Sequence, residues 1–265
     1  MLGTLDADEI RARVRELEPD AEEIFAFGCS VGATFGLTLR GGSRVALKLH
    51  TLYRDPNYFG QVQRAQAALA DAGFPAPRPV RSNGRGTVEE WLDTGMFRDA
   101  HEDDVRGAMA SVLVRLIELA SASGVLPRRA SLRPESALWP KPHNALFDFE
   151  ATTAGAEWID EIGARASTVE RVGWQVVGHL DWAAKHVRFD DELRPTAVYD
   201  WDSLTTELEP VVAGQAAASF SYTEELDRPV ARWPTPEESA AFLADYERAR
   251  GARFDLAERR TAGAA

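Results

Sequence analysis

The sequence predicts a two-lobed α+β fold, with a small antiparallel-sheet lobe followed by a larger, mainly helical one. Three observations carry this expectation. Residues 24–49 (IFAFGCSVGATFGLTLRGGSRVALKL) are short β-prone runs separated by glycine-containing breaks, the pattern of antiparallel strands joined by tight turns. From Glu102 onward the texture changes to long stretches with helical spacing of apolar residues. The chain has 265 residues and is 45% hydrophobic, enough for a sizeable core in one large domain or in two lobes sharing a cleft.

Residues 6–17 open the chain as a short amphipathic helix, with Ile10, Val14 and Leu17 on one stripe and charges opposite, suited to packing outside the first sheet. Three antiparallel strands follow to Leu49. The Arg-Gly-Gly-Ser break at Arg40 to Ser43 is good hairpin chemistry, because glycine supplies the positive φ angles of tight turns. Residues 59–72 (FGQVQRAQAALADA) read as a helix stopped by Gly73 and the prolines Pro75, Pro77 and Pro79. A turn at Asn83 to Gly86 and the run TVEEWL then form an edge of the sheet leading toward the second lobe. The boundary is expected near Asp93 to Gly95, giving lobes of residues 1–94 and 95–265.

In the second lobe, residues 102–122 place Val105, Met109, Val112, Leu113, Leu116, Ile117 and Leu119 on a broad apolar face, as a buried helix does. Residues 127–144, rich in proline, arginine and serine, are expected as an irregular surface excursion. Phe147, Phe149 and Trp158 are expected in the core or a cleft wall, and Asp148, Glu150, Asp160 and Glu161 on a solvated face or facing a cationic acceptor. Further helices are expected over residues 156–168 and 235–250, the latter begun by Thr-Pro-Glu-Glu. No internal repeat is visible.

Composition excludes some functions. The formal charge of −12, from 42 acidic and 30 basic residues, argues against a sequence-independent nucleic-acid binder, which needs a basic face. Cys29 is the single cysteine, so neither an internal disulfide nor a thiolate metal cluster can form, and a reducing cytoplasm fits. The amino-terminal residues 1–17 have no apolar run, so neither a secretory signal nor a membrane span is expected.

The chemically informative stretch is residues 176–204, VVGHLDWAAKHVRFDDELRPTAVYDWDSL. Asp181 follows an apolar run within His-x-Asp, and Asp200 follows the β-prone residues 196–199, so both can stand at strand ends facing one cleft. Lys48 ends the run Val-Ala-Leu-Lys. The collinear order of glycine-containing strand loop, Val-Ala-Leu-Lys48, helix, Glu-Glu-Trp-Leu, His179-x-Asp181 and Val-Tyr-Asp200-Trp-Asp202 resembles the aminoglycoside phosphotransferase and choline kinase superfamily. The resemblance spans roughly residues 25–204, and order rather than any single segment supplies its specificity.

It implies a protein-kinase-like fold that moves the terminal phosphate of magnesium-bound ATP or GTP to a hydroxyl of a small molecule, with aminoglycosides, amino sugars and amino alcohols as candidate acceptors. Phosphoryl transfer needs a cation on the donor phosphates, carboxylates on the metal and a carboxylate near the acceptor hydroxyl. By resemblance Lys48 contacts the phosphates, Asp181 orients or deprotonates the acceptor, and Asp200 binds magnesium with Asp202 as a second contact. The loop over residues 29–34, with Ser30 and Gly32, lies over the phosphates, and residues 88–92, with Glu90 and Trp91, form a hinge for the nucleobase. Lys185 is either an exposed lysine or a cation for the transferred phosphate.

Three departures stand out. His186 occupies the position five residues after Asp181 where the superfamily carries a metal-binding asparagine; it is a candidate metal ligand by that position, or, because imidazole favours softer metals than magnesium, a contact to phosphate directly or through water. Leu180 stands where glycine is common. The helix after Lys48 offers Gln61, Gln63 and Gln66 where a glutamate normally pairs with the lysine. His186 and the missing acidic partner of Lys48 motivate a second reading, a catalytically weak or silent nucleotide-binding protein. A third takes His179, Asp181 and His186 as ligands of a transition metal in a hydrolase.

Overall fold

In the computed structural model the described residues are 7–29, 32–50, 56–83, 86–128, 138, 154–226 and 232–265. Helix α1 (Ala7–Leu17) is followed by strands β1 (Ala21–Cys29), β2 (Ala33–Leu39) and β3 (Arg44–Leu49), then helix α2 (Pro56–Asp71) and strands β4 (Pro79–Ser82) and β5 (Gly86–Glu90). The five strands form one antiparallel sheet in the order β1-β2-β3-β5-β4. Gly41 and Gly42 take φ of 100° and 86° at the expected β2–β3 hairpin, angles that cost glycine little. The run TVEEWL is not at the sheet edge: β5 lies between β3 and β4, and its residues 86–89 are buried. The short, mostly exposed β4 is the edge instead.

Val14 and Leu17 of α1 join Phe35, Leu37, Leu47 and Val88 in a small core on one face of this sheet. The opposite pattern holds for α2. Its Tyr58, Phe59, Val62 and Leu69 belong to the large core shared with the carboxyl-terminal elements. The end of α2 closes with Gly73 at φ 78° and a Phe74 amide donating to the Leu69 carbonyl at 2.9 Å, the wrap that satisfies a helix terminus.

The second part contains α3 (Asp103–Ala122), α4 (Glu157–Ser167), β6 (Gln175–His179), β7 (Val187–Phe189), β8 (Pro195–Val198), β9 (Leu204–Leu208), α5 (Glu209–Ser219), α6 (Pro236–Arg250) and α7 (Leu256–Gly263). Strand β6 pairs with β9, and β7 with β8, both antiparallel. Met109, Leu113 and Leu116 of α3 have no exposed surface, as the apolar face of that helix requires. Thr235 caps α6 in a reciprocal capping box with Glu238, matching the Thr-Pro-Glu-Glu signal. Helix α4 buries none of its residues, and Trp158 is 60% exposed. Trp158 is therefore neither core nor cleft wall. Phe147, Asp148, Phe149 and Glu150, and all of residues 129–153 except Leu138, lie outside the described residues. Among the described residues no helix is long and apolar enough to cross a membrane.

Strand β6 is held against α5 by close approach. A Cβ at Gly178 would stand 2.5 Å from Val212 Cγ1, a side chain with no exposed surface. Gly178→Ala is therefore expected to force β6 and α5 apart, at a cost of about 1–3 kcal/mol in urea unfolding, and to displace the residues that follow β6.

Candidate active site

Strand β6 ends at His179, and the chain turns sharply to place Asp181 beside the start of a 3₁₀ turn that carries His186. His179 is fully buried between Trp182 and Trp201, whose rings meet it edge-on at 5.7 Å and 6.3 Å. The Asp181 amide donates to His179 Nδ1 at 3.2 Å, while Nε2 faces the Tyr199 carbonyl at 3.1 Å. These contacts require a proton on Nε2 and none on Nδ1. Burial, the largest influence, holds the His179 pKa below its ordinary value although Asp200 and Asp181 oppose it. His179 is thus a neutral strut joining the Asp181 turn to the Asp200 turn, and with both nitrogens engaged it is no metal ligand. The hydrolase reading loses one of its three ligands.

Asp200 follows β8 at φ 62°, a left-handed conformation that aspartate tolerates better than most residues. The turn is locked by buried Trp201, whose Nε1 donates to the Val198 carbonyl at 2.8 Å, and by the Tyr199 amide, which donates to the His186 carbonyl at 2.9 Å. Ser203 Oγ donates to Asp200 Oδ2 at 3.2 Å. Between the two carboxylates lies His186, with Nε2 at 3.3 Å from Asp181 Oδ2 and 3.8 Å from Asp200 Oδ2. One donor atom from each of Asp181, His186 and Asp200 lies within 4.8 Å of the others. Asp202 is outside this group. Its carbonyl, with that of Leu204, lies 2.8 Å from the Tyr58 hydroxyl, which ties α2 to the turn.

Burial opposes ionisation of both carboxylates, yet both pKa values are held below the ordinary range. For Asp181 the hydrogen bond and charge of His186 outweigh burial, with Asp200 opposing and Lys185 assisting. For Asp200 the favourable influences are His186 foremost, with Lys48 assisting. Lys185 Nζ itself sits 4.8 Å over the Tyr222 ring.

Lys48 has an acidic partner after all. Its Nζ lies 2.7 Å from Glu89 Oε1 on the neighbouring strand β5, not on α2. In the β3–β5 register Lys48 faces Thr87 and Ala46 faces Glu89, so Lys48 and Glu89 are diagonal neighbours on one face. Gln66 of α2 braces the pair from behind, its Nε2 donating to Glu89 Oε2 at 2.9 Å and to the Pro77 carbonyl at 2.6 Å. Desolvation opposes the charge on Lys48, but Glu89 and then Asp200 and Asp202 raise its pKa above the ordinary value. The stability this charge confers is complete below the ordinary lysine value and is lost as pH rises through the raised one.

Glu89→Gln is expected to destabilise the fold by about 3 kcal/mol, because it leaves a buried ammonium without its counter-charge. The double variant Lys48→Met with Glu89→Gln removes the unpaired charge as well and should recover most of that loss in urea unfolding. No recovery would mean that Glu89 serves packing rather than charge.

The remaining expected residues are placed less favourably. Ser30 lies outside the described residues. Gly32 crosses the end of β3, where a Cβ would meet the Leu49 carbonyl oxygen at 2.5 Å, so the chain's own backbone accounts for glycine there. The Glu90 amide donates to the Arg78 carbonyl at 2.9 Å and is engaged in the chain. Trp91 packs edge-on against Phe25 at 4.8 Å, with its Nε1 donating to Asp93 Oδ2 at 3.0 Å. The connector beyond is tied to the turn of Asp200: the Tyr199 hydroxyl donates to the Leu92 carbonyl, and Arg188 donates to those of Asp93 and Gly95.

A scan against protein-family models finds no match, and a search of curated proteins finds none. Solved structures do match. An aminoglycoside-3'-phosphotransferase of type VIII is 20% identical, covers 97% of this chain and 97% of its own, and superposes with a TM-score of 0.54. The amicoumacin kinase hAmiN, solved with AMP-PNP, Ca2+ and Ami, is 14% identical over 95% of this chain and 79% of its own, with a TM-score of 0.60. Choline kinase from Cryptosporidium parvum Iowa II is 13% identical over 98% of this chain and 85% of its own, with a TM-score of 0.59. The chain therefore has the two-lobed, protein-kinase-like α+β fold that aminoglycoside phosphotransferases and choline kinases share.

Proposed function

We propose that this protein transfers the terminal phosphate of a nucleoside triphosphate to a hydroxyl of a small molecule. The observation that carries the reading is the convergence of Asp181, His186 and Asp200 within 4.8 Å, next to a lysine whose pKa Asp200 and Asp202 raise. Phosphoryl transfer asks for that combination of cation, metal carboxylate and acceptor carboxylate. The fold supports it, since a solved structure with the same fold holds a nucleotide analogue and a divalent cation.

In this reading residues 1–94 form the nucleotide lobe and residues 95–265 supply catalytic groups and the acceptor site. Lys48, steadied by Glu89, holds the donor phosphates as a point charge. Asp200 and His186 are the residues that would hold a divalent cation, whose chemistry is to neutralise charge on the transferring phosphoryl group. Asp181, ionised and part-exposed, takes the proton of the acceptor hydroxyl as its oxygen bonds to the terminal phosphorus. The bond from that phosphorus to the bridging oxygen breaks, and nucleoside diphosphate leaves. An acidic chain with one cysteine suits a small, cationic acceptor and a reducing cytoplasm.

The test is a screen of polyhydroxylated and amino-alcohol acceptors with ATP and GTP, reading nucleoside diphosphate and phosphorylated product together. Product from any acceptor supports the reading. Nucleotide binding without product from a broad panel would favour the second reading, a silent nucleotide-binding protein. That alternative now rests on His186 alone, because Glu89 supplies the carboxylate that α2 lacks.

A further inference from the structure

His186 turns what would be an oxygen-only site into a mixed one. Two donors bound at about 2.1 Å in an octahedron stand about 3.0 Å apart when adjacent and about 4.2 Å when opposite. The separations of His186 Nε2 from Asp181 Oδ2 and Asp200 Oδ2 are 3.3 Å and 3.8 Å, each within about 0.4 Å of one of those two values. A small shift of the side chains would bring the same nitrogen and both carboxylates onto one ion.

Its alternative partner is only a long hydrogen bond to Asp181 at 3.3 Å. The backbone that carries the ring is fixed, its amide donating to the Ala183 carbonyl and its carbonyl accepting from Tyr199, each at 2.9 Å, and the side chain is only 14% exposed. A fixed ring costs little ordering entropy when it binds.

Donor chemistry then sets the preference. Magnesium demands oxygen ligands and gives up water reluctantly, whereas first-row transition-metal ions accept an imidazole nitrogen among carboxylates. Resting on the cation site proposed above, we infer that Asp181, His186 and Asp200 bind a first-row divalent transition-metal ion of the manganese-to-cobalt class in preference to magnesium, with His186 Nε2 as a direct ligand. Asp181 gives one oxygen to the ion and keeps the other for the acceptor.

Manganese is the probe. Pulsed electron paramagnetic resonance of full-length protein with Mn2+, alone and with inorganic tripolyphosphate, which carries no nitrogen, is expected to show the coupling of a directly bound imidazole nitrogen. Growth with ¹⁵N-histidine should convert the ¹⁴N pattern to ¹⁵N, a readout that needs no variant. His186→Asn should abolish the coupling and lower the Mn2+ to Mg2+ affinity ratio at least about tenfold.

Bound manganese without histidine coupling overturns the inference, as does a lack of manganese binding under both conditions or a ratio unchanged in His186→Asn. The two readings fail separately. Histidine-coupled manganese in a protein that binds neither ATP nor GTP would defeat phosphotransfer while the metal site stands. Magnesium-dependent nucleotide binding without manganese coupling to histidine would do the reverse.

Discussion

Asp181→Asn is expected to lower phosphoryl transfer by about 10²- to 10⁴-fold, the usual worth of a positioned general base, while nucleotide still binds through Lys48 and Asp200. Asparagine matches aspartate in size and keeps a hydrogen-bonding oxygen, but it cannot take a proton at neutral pH. The Asp181 side chain is 46% exposed at the mouth of the site, so an acceptor hydroxyl can reach it. Its carboxyl is ionised well below neutrality despite burial, because His186 favours the charged form. Turnover with a productive acceptor and calorimetric nucleotide titration are the paired measurements. Equal turnover by the variant would remove Asp181 from the chemistry.

Asp200→Asn is expected to abolish the metal dependence of nucleotide binding, weakening it at least about tenfold in the presence of the cation. The variant isolates charge from conformation. Asparagine is at home in the left-handed region that Asp200 occupies at φ 62°, so the turn should survive and thermal melting should show a folded protein. Lost is a carboxylate whose negative charge His186 and Lys48 favour. Unchanged affinity across a cation titration would sink the assignment. Because the Asp181 and Asp200 pKa values are depressed, the stability these groups confer is complete above the ordinary aspartate value and drains away as pH falls through the depressed ones.

Local signals carried much of this architecture. Glycine chemistry gave the β2–β3 hairpin, and apolar spacing gave α3. Asp181 and Asp200 stand just beyond strands β6 and β8, as their neighbouring apolar runs imply. The pairing of Glu89 with Lys48 is not legible locally, because it depends on β5 lying beside β3, a register between strands about forty residues apart. The signal was present as an acidic residue within the β-prone run TVEE, a charge that burial makes costly unless a cation meets it.

Helix α5 carries no legible helical period for the opposite reason. Most of its residues are buried all round, so no polar face marks a helical period. Residue type alone places Trp158 in the core or a cleft wall, and its exposure on α4 shows how little one aromatic settles.

The central claim is a cation-assisted nucleotide site built from Lys48 and Asp200. Calorimetric titration with ATP and then GTP, with and without Mg2+ or Mn2+, on the wild type, Lys48→Ala and Asp200→Asn tests it most directly. The account predicts cation-dependent binding of at least one nucleotide, lost in both variants. Failure of the wild type to bind either nucleotide under any of these conditions would contradict it, leaving the fold in place and the phosphotransferase reading without a basis.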